Sequence, residues 1–129
     1  MSSIPDSLRY TEEHEYIQVT DDASVVAIGI TDYAQGELGD IVYVDLPDVG
    51  ASFDRMEVFG TIEAVKAVSE LFCPVSGEIV EVNATLDGDP SLINTDPYGD
   101  GWMIKIRVKS QSQLEETLSA SDYAQHIGE

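Results

Sequence analysis

The chain has 129 residues, with 25 Asp or Glu against 6 Lys or Arg, giving a formal charge of −19. Proteins that grip nucleic acid or anionic membrane present clustered Lys and Arg to phosphate, so this balance excludes both partners and favours basic patches on other proteins. With 43% hydrophobic residues the chain can bury a core, while apolar runs such as Val25 to Ile30 fall far short of the ~20 residues of a membrane helix.

Length and charge point to one domain over 1–129 that stays monomeric. Cys73 is the only cysteine, so no intrachain disulfide forms. The opening Met1-Ser-Ser-Ile-Pro-Asp6 carries neither a basic segment followed by an apolar one nor an Arg-rich pattern, and the expected location is cytoplasmic.

Asp, Gly, Pro and Asn recur about every eight to twelve residues between short stretches rich in Val and Ile, which reads as mainly β. Strands are expected at Tyr16 to Thr20, Val25 to Ile30, Ile41 to Leu46, Val58 to Glu63, Ala67 to Phe72 and Glu78 to Val82. Asp-Tyr-Ala-Gln occurs at 32–35 and again at 122–125, after Thr31 and Ser121, which predicts two short helices with the same N-terminal chemistry. A long Asp/Gly/Pro segment runs from Asn83 to Gly101, with one helical turn at Ser91 to Asn94. From Trp102 to Lys109 the pattern alternates: Trp102, Ile104, Ile106 and Val108 share one face, and Met103, Lys105, Arg107 and Lys109 the other. Ser112-Gln-Leu-Glu115 reads as a capping box, with Leu114 and Leu118 on one helix face, and opens a helical segment over about 112–127.

Catalytic material is sparse. Cys73 between Phe72 and Pro74 reads as buried and inert, and His14 and His126 are the only imidazoles. Glu12-Glu13-His14-Glu15 lacks a spacing that converges on a metal, and reads as a solvated strand entry with one ordered polar residue. No Gly-rich phosphate loop occurs, and Gly99-Asp-Gly101 lacks the oxygen series of a calcium loop. These absences argue against an enzyme.

Lys66 stands apart. Lys105 and Lys109 lie on a strand face, whereas Lys66 sits in Gly60-Thr-Ile-Glu-Ala-Val-Lys-Ala-Val-Ser-Glu70 between two strands, flanked by slim Ala64, Val65, Ala67 and Val68. A lysine so displayed suits an enzyme that acylates protein lysines; a lysine placed for solubility is the plainer alternative. A Schiff-base role needs a lowered pKa, which Glu63 and Glu70 oppose.

The sequence resembles the H protein of the glycine cleavage system, a lipoyl carrier, from about Leu8 to Ile127. The likeness rests on Tyr10-Thr-Glu-Glu-His-Glu15, Ile28-Gly-Ile-Thr-Asp-Tyr-Ala-Gln35, Leu38-Gly-Asp40, Val44-Asp-Leu-Pro47 and Ile62-Glu-Ala-Val-Lys-Ala67. It continues through Pro74-Val-Ser-Gly77, Glu81-Val-Asn83, Leu92-Ile-Asn94 and Asp100-Gly-Trp-Met-Ile104. Tyr16 stands where the family usually has Trp, Ala64 where Ser is common, and Tyr33 where some members carry His. The resemblance implies a barrel-sandwich hybrid of the lipoyl/biotinyl type with short flanking helices. It further implies lipoate in amide linkage on Lys66, and a non-catalytic role carrying an aminomethyl group from a P protein (glycine decarboxylase) to a T protein (aminomethyltransferase). An L protein (dihydrolipoyl dehydrogenase) then reoxidises the arm, and a lipoylating enzyme attaches it. Glu15, Tyr33 and Glu70 match family positions near which a loaded arm docks. The alternatives are a lipoyl module of a 2-oxo acid dehydrogenase, a lipoate relay, a biotin carrier or an unmodified acidic adaptor. Biotin carriers place Met on both sides of the lysine, where Val65 and Ala67 stand here.

Overall fold

The computed structural model describes residues 3–129. Two antiparallel sheets share one core. The larger, in the order β1-β2-β3-β9-β8-β5, is built from β1 (Arg9–Tyr10), β2 (Glu15–Val19), β3 (Val25–Ile30), β5 (Ser52–Phe53), β8 (Gly77–Val82) and β9 (Ile104–Val108). The smaller, β4-β6-β7, consists of β4 (Ile41–Asp45), β6 (Val58–Ala64) and β7 (Val68–Phe72). Short helices join and flank them: α1 (Asp32–Leu38), α2 (Thr85–Gly88), α3 (Leu92–Thr95), α4 (Ser112–Glu115) and α5 (Ala120–Ile127). This is the barrel-sandwich architecture that the resemblance implies.

Alternation along the strands explains the layering. Ile17, Val26, Ile28 and Ile30 of the larger sheet meet Val44, Ile62 and Leu71 of the smaller in the main core. The central strand β3 is buried on both faces. Part of its other face is covered by Tyr16, whose ring lies against Gly29. Tyr16 belongs to a second cluster with Leu8, Tyr10, Ala120 and Tyr123, in which the rings of Tyr10 and Tyr123 stack at 4.7 Å. Tyr10 and Leu118 exchange backbone hydrogen bonds, so the chain between α4 and α5 extends the sheet beside β1.

Several sequence expectations need correction. Met103 is fully buried and Trp102 only half-buried, because β9 begins at Ile104 and the alternation holds only from there. Lys105 Nζ lies 4.8 Å from the Trp102 ring centroid and 3.4 Å from Glu81. The 112–115 turn is not a capping box: Ser112 Oγ meets Ser110 Oγ at 2.9 Å, and no side chain caps the turn. Leu114 packs on the main core while Leu118 joins the tyrosine cluster, since α4 ends between them. The 112–127 segment is therefore two helices with an extended bridge. The second Asp-Tyr-Ala-Gln helix starts two residues earlier than its repeat suggests, capped by Ser119 rather than Ser121, whereas Thr31 caps α1 as read. Helix α2 was not anticipated.

Gly60 marks where the smaller sheet is tightest. A Cβ there would lie 2.2 Å from the backbone oxygen of Asp45, which cannot swing aside as a side chain would. Gly60→Ala is expected to cost about 3 kcal/mol, the top of the usual overpacking range, as a lowered urea midpoint. Gly36, in α1 with nothing within 4 Å of its would-be Cβ, is the control, and Gly36→Ala should stabilise by ~0.5–1 kcal/mol.

Candidate functional site

Strands β6 and β7 are joined by the shortest kind of hairpin. The N–H of Ala64 donates to the carbonyl of Ala67 at 2.8 Å, leaving Val65 and Lys66 as the two turn residues. Both are exposed, Val65 at 72%. The tip is steadied from outside, because the N–H of Val65 donates to the carbonyl of Asp40 at 3.0 Å. The Lys66 stem lies across Gly39, with Cε 2.6 Å from where a Cβ on that glycine would sit.

The Gly39-Asp40 corner is itself held by Asn94 of α3. Asn94 Nδ2 donates to the Gly39 carbonyl and to Gln35 Oε1, each at 2.9 Å, and its Oδ1 accepts from the Ile41 N–H at 2.8 Å. In the sequence Asn94 stands only as the end of Leu92-Ile-Asn94, and nothing local marks it as the brace of a corner 55 residues away. Gly39 has φ +82 and ψ −158, a region nearly confined to glycine. Gly39→Ala should therefore lose about 1–3 kcal/mol in chemical denaturation from backbone strain alone. The clash with Lys66 adds little, because the lysine end swings away.

Helix α1, which reaches this corner, also forms one wall of a cleft of about 220 Å³. Tyr33, Ala34, Glu37 and Leu38 supply that wall; Ile62, Ser69, Glu70 and Leu71 come from β6 and β7. Glu13, His14, Glu15 and Ile30 complete it. The three residues named beside Lys66, which are Glu15, Tyr33 and Glu70, are thus brought together in one cavity. Lys66 is not part of its lining, but it sits in the turn two residues beyond the end of β6, the strand that brings Ile62 to the cleft. A larger groove, about 520 Å³, lies along β5, β8 and β9 and holds none of these residues.

The cleft pairs apolar walls with a buried acid. Glu15 is 1% exposed, so the reading of 12–15 as a solvated strand entry fails at this residue. Its Oε1 accepts from the Thr11 hydroxyl at 2.8 Å, and the carboxylate also accepts from the Phe72 N–H. Burial nevertheless raises its pKa to about 8; those hydrogen bonds oppose the rise and the charge of Glu13 adds to it. Glu70 and Glu37 are exposed at the margin, and Tyr33 is half-buried.

His14 was missed as a cleft residue. It adopts a left-handed backbone, φ 73, uncommon outside glycine, at a turn closed by its N–H donating to the Thr11 carbonyl. Its ring lies 5.2 Å from that of Tyr33 and 5.8 Å from that of His126. Cys73 is fully buried with its thiol pushed up to about 12 by burial, in keeping with an inert core residue.

An exposed lysine on a braced turn beside an apolar cleft with a buried carboxyl suits a tethered acyl arm that can be stowed. The family described as Glycine cleavage H-protein matches residues 8–129. A glycine cleavage system H protein of Chlorobium limicola is 54% identical over 127 residues, covering 98% of this chain and 99% of that one. One from Halalkalibacterium halodurans is 51% identical over 129 residues, covering 100% and 99%. The crystal structure of a glycine cleavage system H protein from Mycobacterium marinum superposes with a TM-score of 0.89 at 42% identity, covering 98% of this chain and all of the other. With its sandwich fold, its lysine hairpin and a match over nearly the whole length, the chain belongs to the glycine cleavage H-protein family.

Proposed function

We propose that Lys66 is the residue that carries lipoate, and that the cleft bounded by α1, β6 and β7 is where the loaded arm docks. Members of this family are the lipoyl carriers of the glycine cleavage system and not catalysts, and so is this chain. The observation that carries the finer reading is the shared corner: Gly39-Asp40 touches the hairpin tip and ends the helix that lines the cleft.

The residues present fit such an arm. Ile30, Ala34, Leu38, Ile62 and Leu71 offer methylenes an apolar wall, and Glu15 offers a buried carboxyl with two donors already aimed at it. Lipoate attached at Lys66 supplies a disulfide that accepts the aminomethyl group and is afterwards reoxidised. The chain's own residues do the rest. The hairpin displays the amine to the lipoylating enzyme and then the acylated arm to the P, T and L proteins, for which tethering gives a high effective concentration. Glu15 and Glu70 receive the protonated amine of the cargo through charge-assisted hydrogen bonds, and the apolar walls keep water from the labile linkage. Tyr33 closes the cleft on the α1 side. In this reading 1–129 works as one carrier domain in the cytoplasm.

Intact mass and peptide mapping of the protein from its native host test the assignment. One lipoyl amide is expected, on the peptide containing Lys66. A lipoyl group on Lys105 or Lys109, or an unmodified mass throughout, would overturn it.

A further inference from the structure

The least explained group in the cleft is His14. Its Nδ1 lies 2.9 Å from the hydroxyl of Tyr123, which lies 2.7 Å from Thr31 Oγ1, and that oxygen caps α1 by accepting the Ala34 N–H at 3.2 Å. One proton assignment satisfies every member. Thr31 donates to Tyr123, Tyr123 donates to Nδ1, and the imidazole is neutral with its proton on Nε2. Protonating Nδ1 reverses the chain: His14 donates to Tyr123, Tyr123 donates to Thr31, and the proton of the fully buried Thr31 hydroxyl loses its acceptor.

The surrounding charges divide. His126 of α5 faces His14 with ring centroids 5.8 Å apart, and its Nε2 lies 3.1 Å from the carbonyl of Glu12. Tyr123 of α5 and Tyr33 of α1 add uncharged rings. On the acidic side stand Glu13 and Glu15 from the same turn and strand, Glu37 from α1 and Glu70 from β7. Burial and then His126 lower the pKa of His14, and they outweigh Glu13 and Glu37, which are exposed and screened by water.

We propose that His14 makes the cleft selective for charge: uncharged, it admits an arm ending in an ammonium, and protonated, it expels that arm while leaving a neutral one docked. This rests on the docking reading above and adds a specificity-determining residue to it. The physical reason is confinement. In a cleft of about 220 Å³ a second cation cannot stand a screening length away, so a protonated imidazole opposes the cargo amine directly. The hydrogen-bond chain through Tyr123 and Thr31 biases His14 toward the neutral state.

The test uses the full, lipoylated chain with its arm reduced to the dithiol and then alkylated at one of the two thiols, with one equivalent of reagent, to a stable thioether. Bromoethylamine leaves an ammonium at the arm's end, and iodoethane leaves a neutral group of similar size. Buried Cys73, with its thiol near 12, is spared. Methyl signals of Ile62 and Leu71 report docking, and the imidazole signals of His14 report its titration directly. Between pH 8 and 5 the docked-to-free ratio of the cationic arm should fall at least tenfold in a step that tracks the His14 imidazole, and the ethyl arm should show no such step. His14→Asn, which tolerates the left-handed backbone, should remove the step that tracks the imidazole and leave only the gradual fall that begins below about pH 8 as Glu15 regains its proton. His126→Asn removes a cationic neighbour and should move the step to higher pH. Persistence of the step in His14→Asn, or the same step with the ethyl arm, would overturn the proposal alone. Absence of docking by either arm at every pH in the parent would overturn the docking reading and the proposal with it.

Discussion

Replacing Lys66 by Ala should abolish carrier function and the lipoyl mass increment together, while the unfolding transition stays within about 0.5 kcal/mol of the parent. The lysine is exposed at a two-residue turn, forms no ion pair among the described residues, and touches its neighbours only along the flexible stem over Gly39. Nothing buried is lost. The turn itself is held by backbone groups, the Ala64–Ala67 and Val65–Asp40 hydrogen bonds, which no side chain at 66 supplies. Lys66→Arg sharpens the experiment. It keeps the positive charge and the reach but presents a guanidinium that does not form the amide, so it should fail as completely as Ala. If Lys66→Arg still carried lipoate, the attachment site would lie elsewhere. A large loss of stability in Lys66→Ala would mean that the stem is a structural brace rather than a display.

The difference between what the sequence made legible and what it did not follows from the range of the interactions. Strands β3, β4, β6, β7 and β8 were readable to within a residue or two because Asp, Gly and Pro punctuate short stretches rich in Val and Ile. Lys66 was readable for the same local reason, since a hairpin tip is a property of its two flanking strands. The failures are places where distant chain decides. The phase at Trp102 and Met103 is set by the bend out of the Gly101 loop, where the Met103 N–H pairs with Ile28. Ser112 and Glu115 have the spacing of a capping box, yet Gln113 fastens that turn by accepting from the N–H of Ser76 at 2.6 Å, which no local rule foresees. Glu15 was named only through the family resemblance; its burial depends on Phe72, far along the chain. His14 looked like a solvated residue among glutamates because Tyr123, which holds it, lies 109 residues away.

Glu15→Gln should make the protein more stable and a worse carrier, and that opposition of signs distinguishes a docking group from a core residue. The folded carboxyl titrates at about 8 against an ordinary value of 4.5. Between those values the folded state holds more protons than the unfolded one, so Glu15 contributes stability that is complete below about pH 4.5 and is lost as pH rises through about 8. Gln removes this dependence, and the variant should exceed the parent by a few kcal/mol above pH 8, measured by urea unfolding across that window. Docking runs the other way. At pH 7 the empty cleft holds Glu15 mostly protonated, and ionising a group one unit below its pKa costs about 1.4 kcal/mol. A buried hydrogen bond to a charged group is worth about 1.5–3 kcal/mol, which exceeds that cost, so a docking ammonium displaces the proton and takes its place. Gln offers no charge in exchange. Net of the ionisation cost, Glu15 holds the ammonium by up to about 1.6 kcal/mol, so the cargo should leave the cleft up to about fifteenfold more readily, read as faster release of formaldehyde and ammonia without T protein, while lipoylation of Lys66 proceeds as before. Equal release rates in variant and parent would return Glu15 to the status of a buried acid held by Thr11 and Phe72, with no part in receiving the arm.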